Sequence, residues 1–117
     1  MSLQWDSIVV DCVDPLLVAR FWSCALGLEL HGPNDDGDVW LVPGLGCPNI
    51  LFGEDPETKS VKDRIHLDLR PDDQAAEVER LISLGAQRVD IGQGDVTWVV
   101  MGDPEGNEFC VLRSRSD

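Results

Sequence analysis

Tyrosine is absent from this 117-residue chain, and basic residues are scarce: nine lysines and arginines stand against 22 acidic residues, a net charge of -13. A surface so short of positive charge repels phosphate backbones and anionic bilayers, so neither nucleic acid nor a membrane is expected as a partner. No apolar run approaches the roughly 18 residues that span a bilayer. The start, Met1-Ser2-Leu3-Gln4-Trp5-Asp6, lacks a basic region followed by an apolar one, so no secretion signal is expected. No two of Cys12, Cys24, Cys47 and Cys110 form a Cys-x-x-Cys pair, which argues against a zinc ribbon or finger. Reduced thiols in the cytoplasm are the simplest reading, with Cys12 and Cys24 filling core or near-core space.

What is there has globular proportions, 43% apolar and 26% charged, at a length that suits one domain. The chain also repeats itself. Ser7-Ile8-Val9-Val10-Asp11 reads as a strand. Asp14 caps a helix with Pro15 in its first turn, and Gly27 stops it. In the second half Arg64 to Leu69 reads as a strand, Pro71-Asp72-Asp73 opens a helix, and Gly85 ends it. Val78, Leu81, Ile82 and Gly85 share one face of that helix. The two Leu-Gly stops lie 58 residues apart, half the chain. After each helix come three short strand candidates: Leu28 to His31, Asp38 to Val42 and Asn49 to Gly53, then Gln87 to Ile91, Val96 to Met101 and Asn107 to Arg113. Polar Glu54 to Lys62 joins the halves. The expected fold is therefore α+β: two tandem βαβββ modules, about 5–53 and 63–113, within one domain spanning 1–117. Pairing their bare sheet faces would give a concave mixed sheet, helices outside and a binding cleft inside.

The strings Asp14-Pro15, Ala19-Arg20-Phe21-Trp22 and Leu26-Gly27-Leu28, followed in the second half by Asp103-Pro104-Glu105-Gly106-Asn107-Glu108-Phe109, resemble the vicinal oxygen chelate superfamily. Glyoxalase I, bleomycin resistance proteins and extradiol dioxygenases belong to it, and the likeness is nearest to its small bacterial glyoxalase-like members. The resemblance implies a divalent metal held by His and Glu. This chain keeps little of that set. Ser7 stands at the usual first His, His66 at the second, and Cys110 at the usual last Glu, while Asn49 to Gly53 offers no acid. Hence no metal cofactor is expected; if one binds, His66, Glu108 and Cys110 are its candidate ligands.

Strand alternation puts Ile65, Leu67 and Leu69 against the helices and leaves Arg64, His66 and Asp68 facing the cleft. His66 is the best candidate there to bind, donate or shuttle a proton, the alternative being a histidine hydrogen-bonded to Asp68 or a neighbouring strand with no substrate role. Glu108 and Cys110 share the cleft face of the last strand; a packed thiol is favoured over a nucleophile beside that acid. Trp40 and Trp98 lie on strand candidates and are candidate ligand contacts, or else packing or dimer-seam residues. Among Arg20, Arg64 and Arg113, Arg64 is best placed for an anionic ligand. The leading expectation is a small-molecule binding protein that works without the family's usual metal. A metal-dependent lyase, isomerase or dioxygenase is the second, and a non-enzymatic dimerisation or regulatory domain the third. Bare sheet edges favour a homodimer.

Overall fold

The computed structural model describes residues 5–115, so Met1 to Gln4, where the absence of a secretion signal was partly read, lie outside the described residues. The chain divides into two compact units, with the boundary between Thr58 and Lys59. Each unit is a βαβββ module built to the same plan.

In the first module, β1 (Ser7–Cys12) leads to α1 (Pro15–Leu26), followed by β2 (Leu30–His31), β3 (Val39–Leu41) and β4 (Asn49–Glu54). The strands form a mixed sheet in the order β1-β4-β3-β2, with β1 parallel to β4 and the other pairs antiparallel. The Asp14 carboxylate accepts the Leu17 N–H at 3.2 Å, and Gly27 closes the helix at φ 66°, where a Cβ would be strained. Val18, Ala19, Phe21 and Trp22 form the buried side of α1. The Phe21 and Trp22 rings meet edge to face at 5.1 Å. Val39, Leu41, Ile50 and Phe52 supply the sheet side of that core.

The expected place of Cys24 needs correction. It is exposed, because two residues past Trp22 it has turned roughly 200° round the helix, away from the sheet. Cys12 is buried as expected.

The second module repeats the order with β5 (Leu67–Leu69), α2 (Gln74–Leu84), β6 (Gln87–Arg88), β7 (Val99–Gly102) and β8 (Glu108–Val111). Its sheet runs β5-β8-β7-β6, with β5 parallel to β8. Asp73 caps α2 by accepting the Ala76 N–H at 3.1 Å, so the helix begins at Gln74 and the preceding Pro71 and Asp72 lie outside it. Val78 and Leu81 are buried as the helical spacing requires, whereas Ile82 is 38% exposed. Phe109 and Met101, paired across β8 and β7, are fully buried. The Asp103 carboxylate accepts the N–H groups of Glu105 and Asn107 at 2.9 and 3.0 Å, and so shapes the turn into β8.

Two elements, β5 and β6, are shorter than their β-rich composition suggests, because turn chemistry captures backbone groups first. Asp63 and Glu108 bond reciprocally: the Glu108 N–H donates to Asp63 Oδ2 at 3.0 Å and the Asp63 N–H to Glu108 Oε2 at 3.3 Å. With those groups engaged, the β5 ladder starts only at Leu67. Ile65 therefore stands 87% exposed instead of meeting a helix, while Leu67 and Leu69 are half-buried. Similarly, Asp90 and Gln93 side chains take the N–H groups of Gly92 and Ile91, which ends β6 early. Trp98 lies in the bend before β7 rather than on a strand, and is 40% exposed.

Candidate functional site

Phe109 and Val111 of β8 are buried on the side where α2 packs, so alternation turns Glu108 and Cys110 to the other face. Asp68 is the direct register partner of Cys110 across the parallel β5–β8 ladder. His66, one residue before β5, swings its Nδ1 to 3.1 Å from Asp68 Oδ1 and 3.9 Å from Cys110 Sγ. One donor atom from each of the three residues lies within 4.8 Å of the others. The His66 and Asp68 side chains are 40% and 51% exposed, whereas Cys110 is buried.

Glu108 does not join this group. Lys59 Nζ pairs with its Oε1 at 2.9 Å, and the Asp63 N–H holds its Oε2. Burial pushes the Glu108 carboxyl up, but the bonds from Lys59 and Asp63 outweigh it and hold the group below its ordinary value. Asp63 moves the other way, raised by its own burial and by sharing a site with Glu108. Sequence reasoning missed Lys59 and Asp63, since both fall in or beside the polar segment taken for a linker. A buried acid on a strand, which needs a cation, was the available sign. The Cys110 thiol is pushed up by burial and then by the neighbouring Asp68 carboxylate. Arg64 is exposed and makes no contact that would anchor it at this group among the described hydrogen bonds and ion pairs.

In the first module, the sheet face turned from α1 carries a row set by register: Val9 beside Leu51, Leu51 beside Trp40, Trp40 beside His31. The His31 and Trp40 rings stack, 15° from parallel with centroids 6.1 Å apart. Val9 is 57% exposed, and Leu51, Trp40 and His31 are half-buried. Ser7 lies on the same face, beside Asn49. The one acid of β4, Glu54, has the parity of buried Ile50 and Phe52. The His/Glu cage implied by the resemblance is thus not reproduced by these residues. A separate concavity of about 400 Å³ lies between Arg70, Pro71, Asp72, Ser114 and Arg115 and contains none of the candidate residues.

The family profile described as a glyoxalase-like domain matches residues 7–112. No curated protein matches the chain significantly in sequence. Among solved structures, the chain is similar to the Bacillus subtilis YycE protein, a putative glyoxalase/fosfomycin resistance protein, with TM-score 0.72 and 17% identity over 95% of this chain and 90% of that one. It is similar to a mutant of the fosfomycin resistance protein FosX from Listeria monocytogenes, complexed with Mn(II) and 1S,2S-dihydroxypropylphosphonic acid, with TM-score 0.69 and 13% identity over 97% and 91% of the two chains. A glyoxalase/bleomycin resistance protein/dioxygenase family enzyme from Burkholderia phytofirmans gives TM-score 0.66 and 19% identity over 91% and 94%. Repeated βαβββ modules, matching neighbours and a profile that spans nearly the whole chain agree: this protein belongs to the glyoxalase-like family of the vicinal oxygen chelate superfamily.

Proposed function

We propose that the protein binds a small organic molecule, in the manner of the bleomycin-resistance type, without the His/Glu metal cage of its enzymatic relatives. The observation that carries this reading is the Val9-Leu51-Trp40-His31 row. Apolar and aromatic surface left half in water is stabilised when a ligand covers it, at about 25 cal/mol per Å² of apolar area removed from solvent. A flat indole backed by a stacked imidazole suits an aromatic or conjugated ligand. The excess of acidic groups draws cations toward the protein, which favours ligands carrying positive charge.

The test is a thermal-shift screen with small aromatic and cationic compounds, run with chelator and then with divalent cations. A ligand at 100 times its Kd stabilises the native state by about 2.7 kcal/mol, a readily measured rise in Tm. The expected result is a chelator-insensitive rise that Trp40→Ala abolishes. Failure of every compound, or a rise that Trp40→Ala leaves intact, overturns the reading.

A second reading, a metal-dependent lyase, isomerase or dioxygenase, is favoured by the proximity of His66, Asp68 and Cys110 and by the Mn(II) held by the FosX neighbour. When bound, such a metal would polarise paired substrate oxygens. In that reading His66, with Asp68 and Cys110, would hold the metal.

A further inference from the structure

We propose that His66, Asp68 and Cys110 form a zinc-preferring site carried wholly by the second module, with Asp68 as a ligand in place of Glu108. This goes beyond the ligand reading above and does not rest on the Trp40 row.

Three observations converge. The donors are brought together by backbone architecture: Asp68 and Cys110 are register partners, and His66 shares the parity of Asp68. Their spacing suits one small cation. Tetrahedral zinc, with bonds of about 2.0–2.1 Å to nitrogen, 2.0–2.2 Å to oxygen and 2.3 Å to sulfur, sets nitrogen and oxygen about 3.4 Å apart and nitrogen and sulfur about 3.6 Å apart. The imidazole nitrogen here lies 3.1 Å from the Asp68 oxygen and 3.9 Å from the Cys110 sulfur, within a few tenths of an ångström of both. Finally, the obvious rival donor is occupied, since Lys59 and Asp63 hold both oxygens of Glu108.

The donor set also decides the metal. A thiolate with an imidazole and one carboxylate is softer than a His/Glu cage, which favours zinc over manganese or magnesium. On binding, the metal takes the sulfur lone pair as the Cys110 proton leaves to solvent, so uptake releases about one proton per ion. The exposed His66 and Asp68 side chains leave a route for the ion to enter.

The experiment titrates chelator-treated protein with zinc chloride, manganese chloride and, as a spectroscopic probe, cobalt chloride. The expected result is one zinc per chain, at least tenfold weaker manganese binding, and a thiolate-to-cobalt charge-transfer band. Cys110→Ser abolishes the band. Because that variant alters a buried position, Asp68→Asn and His66→Ala provide the decisive comparison at exposed positions, each weakening zinc at least tenfold with the metal-free melting temperature unchanged. Substoichiometric zinc, equal affinity for manganese, or zinc binding that survives both exposed substitutions overturns the proposal. In the last case the ion is held elsewhere, as by exposed Cys24 or Cys47. Loss of this site would leave the Trp40-dependent response to organic ligands standing, so the two readings fail separately.

Discussion

Asp68 and Cys110 stand opposite one another in a parallel ladder, so a half-exposed carboxylate lies against a buried thiol. Burial and that negative charge both disfavour the thiolate. In metal-free protein near pH 8, Cys110 should therefore be alkylated far more slowly than exposed Cys24. Asp68→Asn removes the charge and should speed Cys110 modification, by up to about tenfold for each pKa unit relieved. Peptide mapping by mass spectrometry after timed alkylation measures both rates. Equal rates at Cys110 in the wild type and Asp68→Asn would show that the carboxylate does not govern the thiol.

The ion pair between Lys59 and Glu108 is expected to act as a stability element. The Glu108 side chain is 7% exposed, so removing its cation leaves a buried charge with only N–H partners. Lys59→Met should cost about 3 kcal/mol, the lower end for breaking a buried pair. Arg80→Ala, which removes the exposed helical pair with Glu77, should cost under about 0.5 kcal/mol. Urea denaturation of the two variants at neutral pH measures the contrast.

Asp63 and Glu108 give stability opposite dependences on pH. Glu108, held below its ordinary value of 4.5, contributes stability present above that pH and lost as pH falls through its folded pKa. Asp63, raised above 3.8, binds its proton more tightly when folded, so its ionisation withdraws stability as pH rises from 3.8 through its folded pKa. Asp63→Asn keeps an oxygen to accept the Glu108 N–H and removes the like charge. It should match the wild type in stability below pH 3.8 and exceed it at neutral pH by on the order of 1 kcal/mol, the scale of one buried hydrogen bond. Urea midpoints across pH 3 to 7 test the divergence; a variant that never exceeds the wild type would contradict it.

The fold was legible because its signals are local and duplicated. Asp14 with Gly27 bracket the first helix, and Pro71-Asp72-Asp73 with Gly85 signal the second, whose cap the structure places at Asp73. The start of β5 was not legible, since it depends on a long-range capture, Asp63 taking the Glu108 N–H across 45 residues. At the site, alternation was enough to set Asp68 and Cys110 on the faces later seen. Alternation says nothing about which buried acid already has a cation. Glu108 therefore entered the expected ligand set, and Lys59, far away in sequence, was passed over.

The His31–Trp40 stack depends on a glycine beside it. A Cβ on Gly32 would stand 2.8 Å from the Asp38 carbonyl oxygen and 2.8 Å from the Trp40 ring, at a φ of 95°. The carbonyl is backbone and cannot swing aside, and the Trp40 backbone that carries the ring is held in the ladder opposite Leu51. The chain at Gly32 must therefore shift, drawing His31 off the indole. Gly32→Ala should cost roughly 2 kcal/mol, combining overpacking with left-handed strain. It should also weaken any Trp40-dependent ligand response. Gly27→Ala is the control: it carries a positive φ of 66° but meets no atom within 4 Å, so only the conformational cost of about 1 kcal/mol applies. Urea midpoints rank the two, and ligand-induced melting shifts separate them further, because Gly27→Ala leaves the stacked pair in place. Equal costs and equal ligand responses would mean that the stack tolerates the added methyl, and that the row of side chains on this face is not held in shape by Gly32.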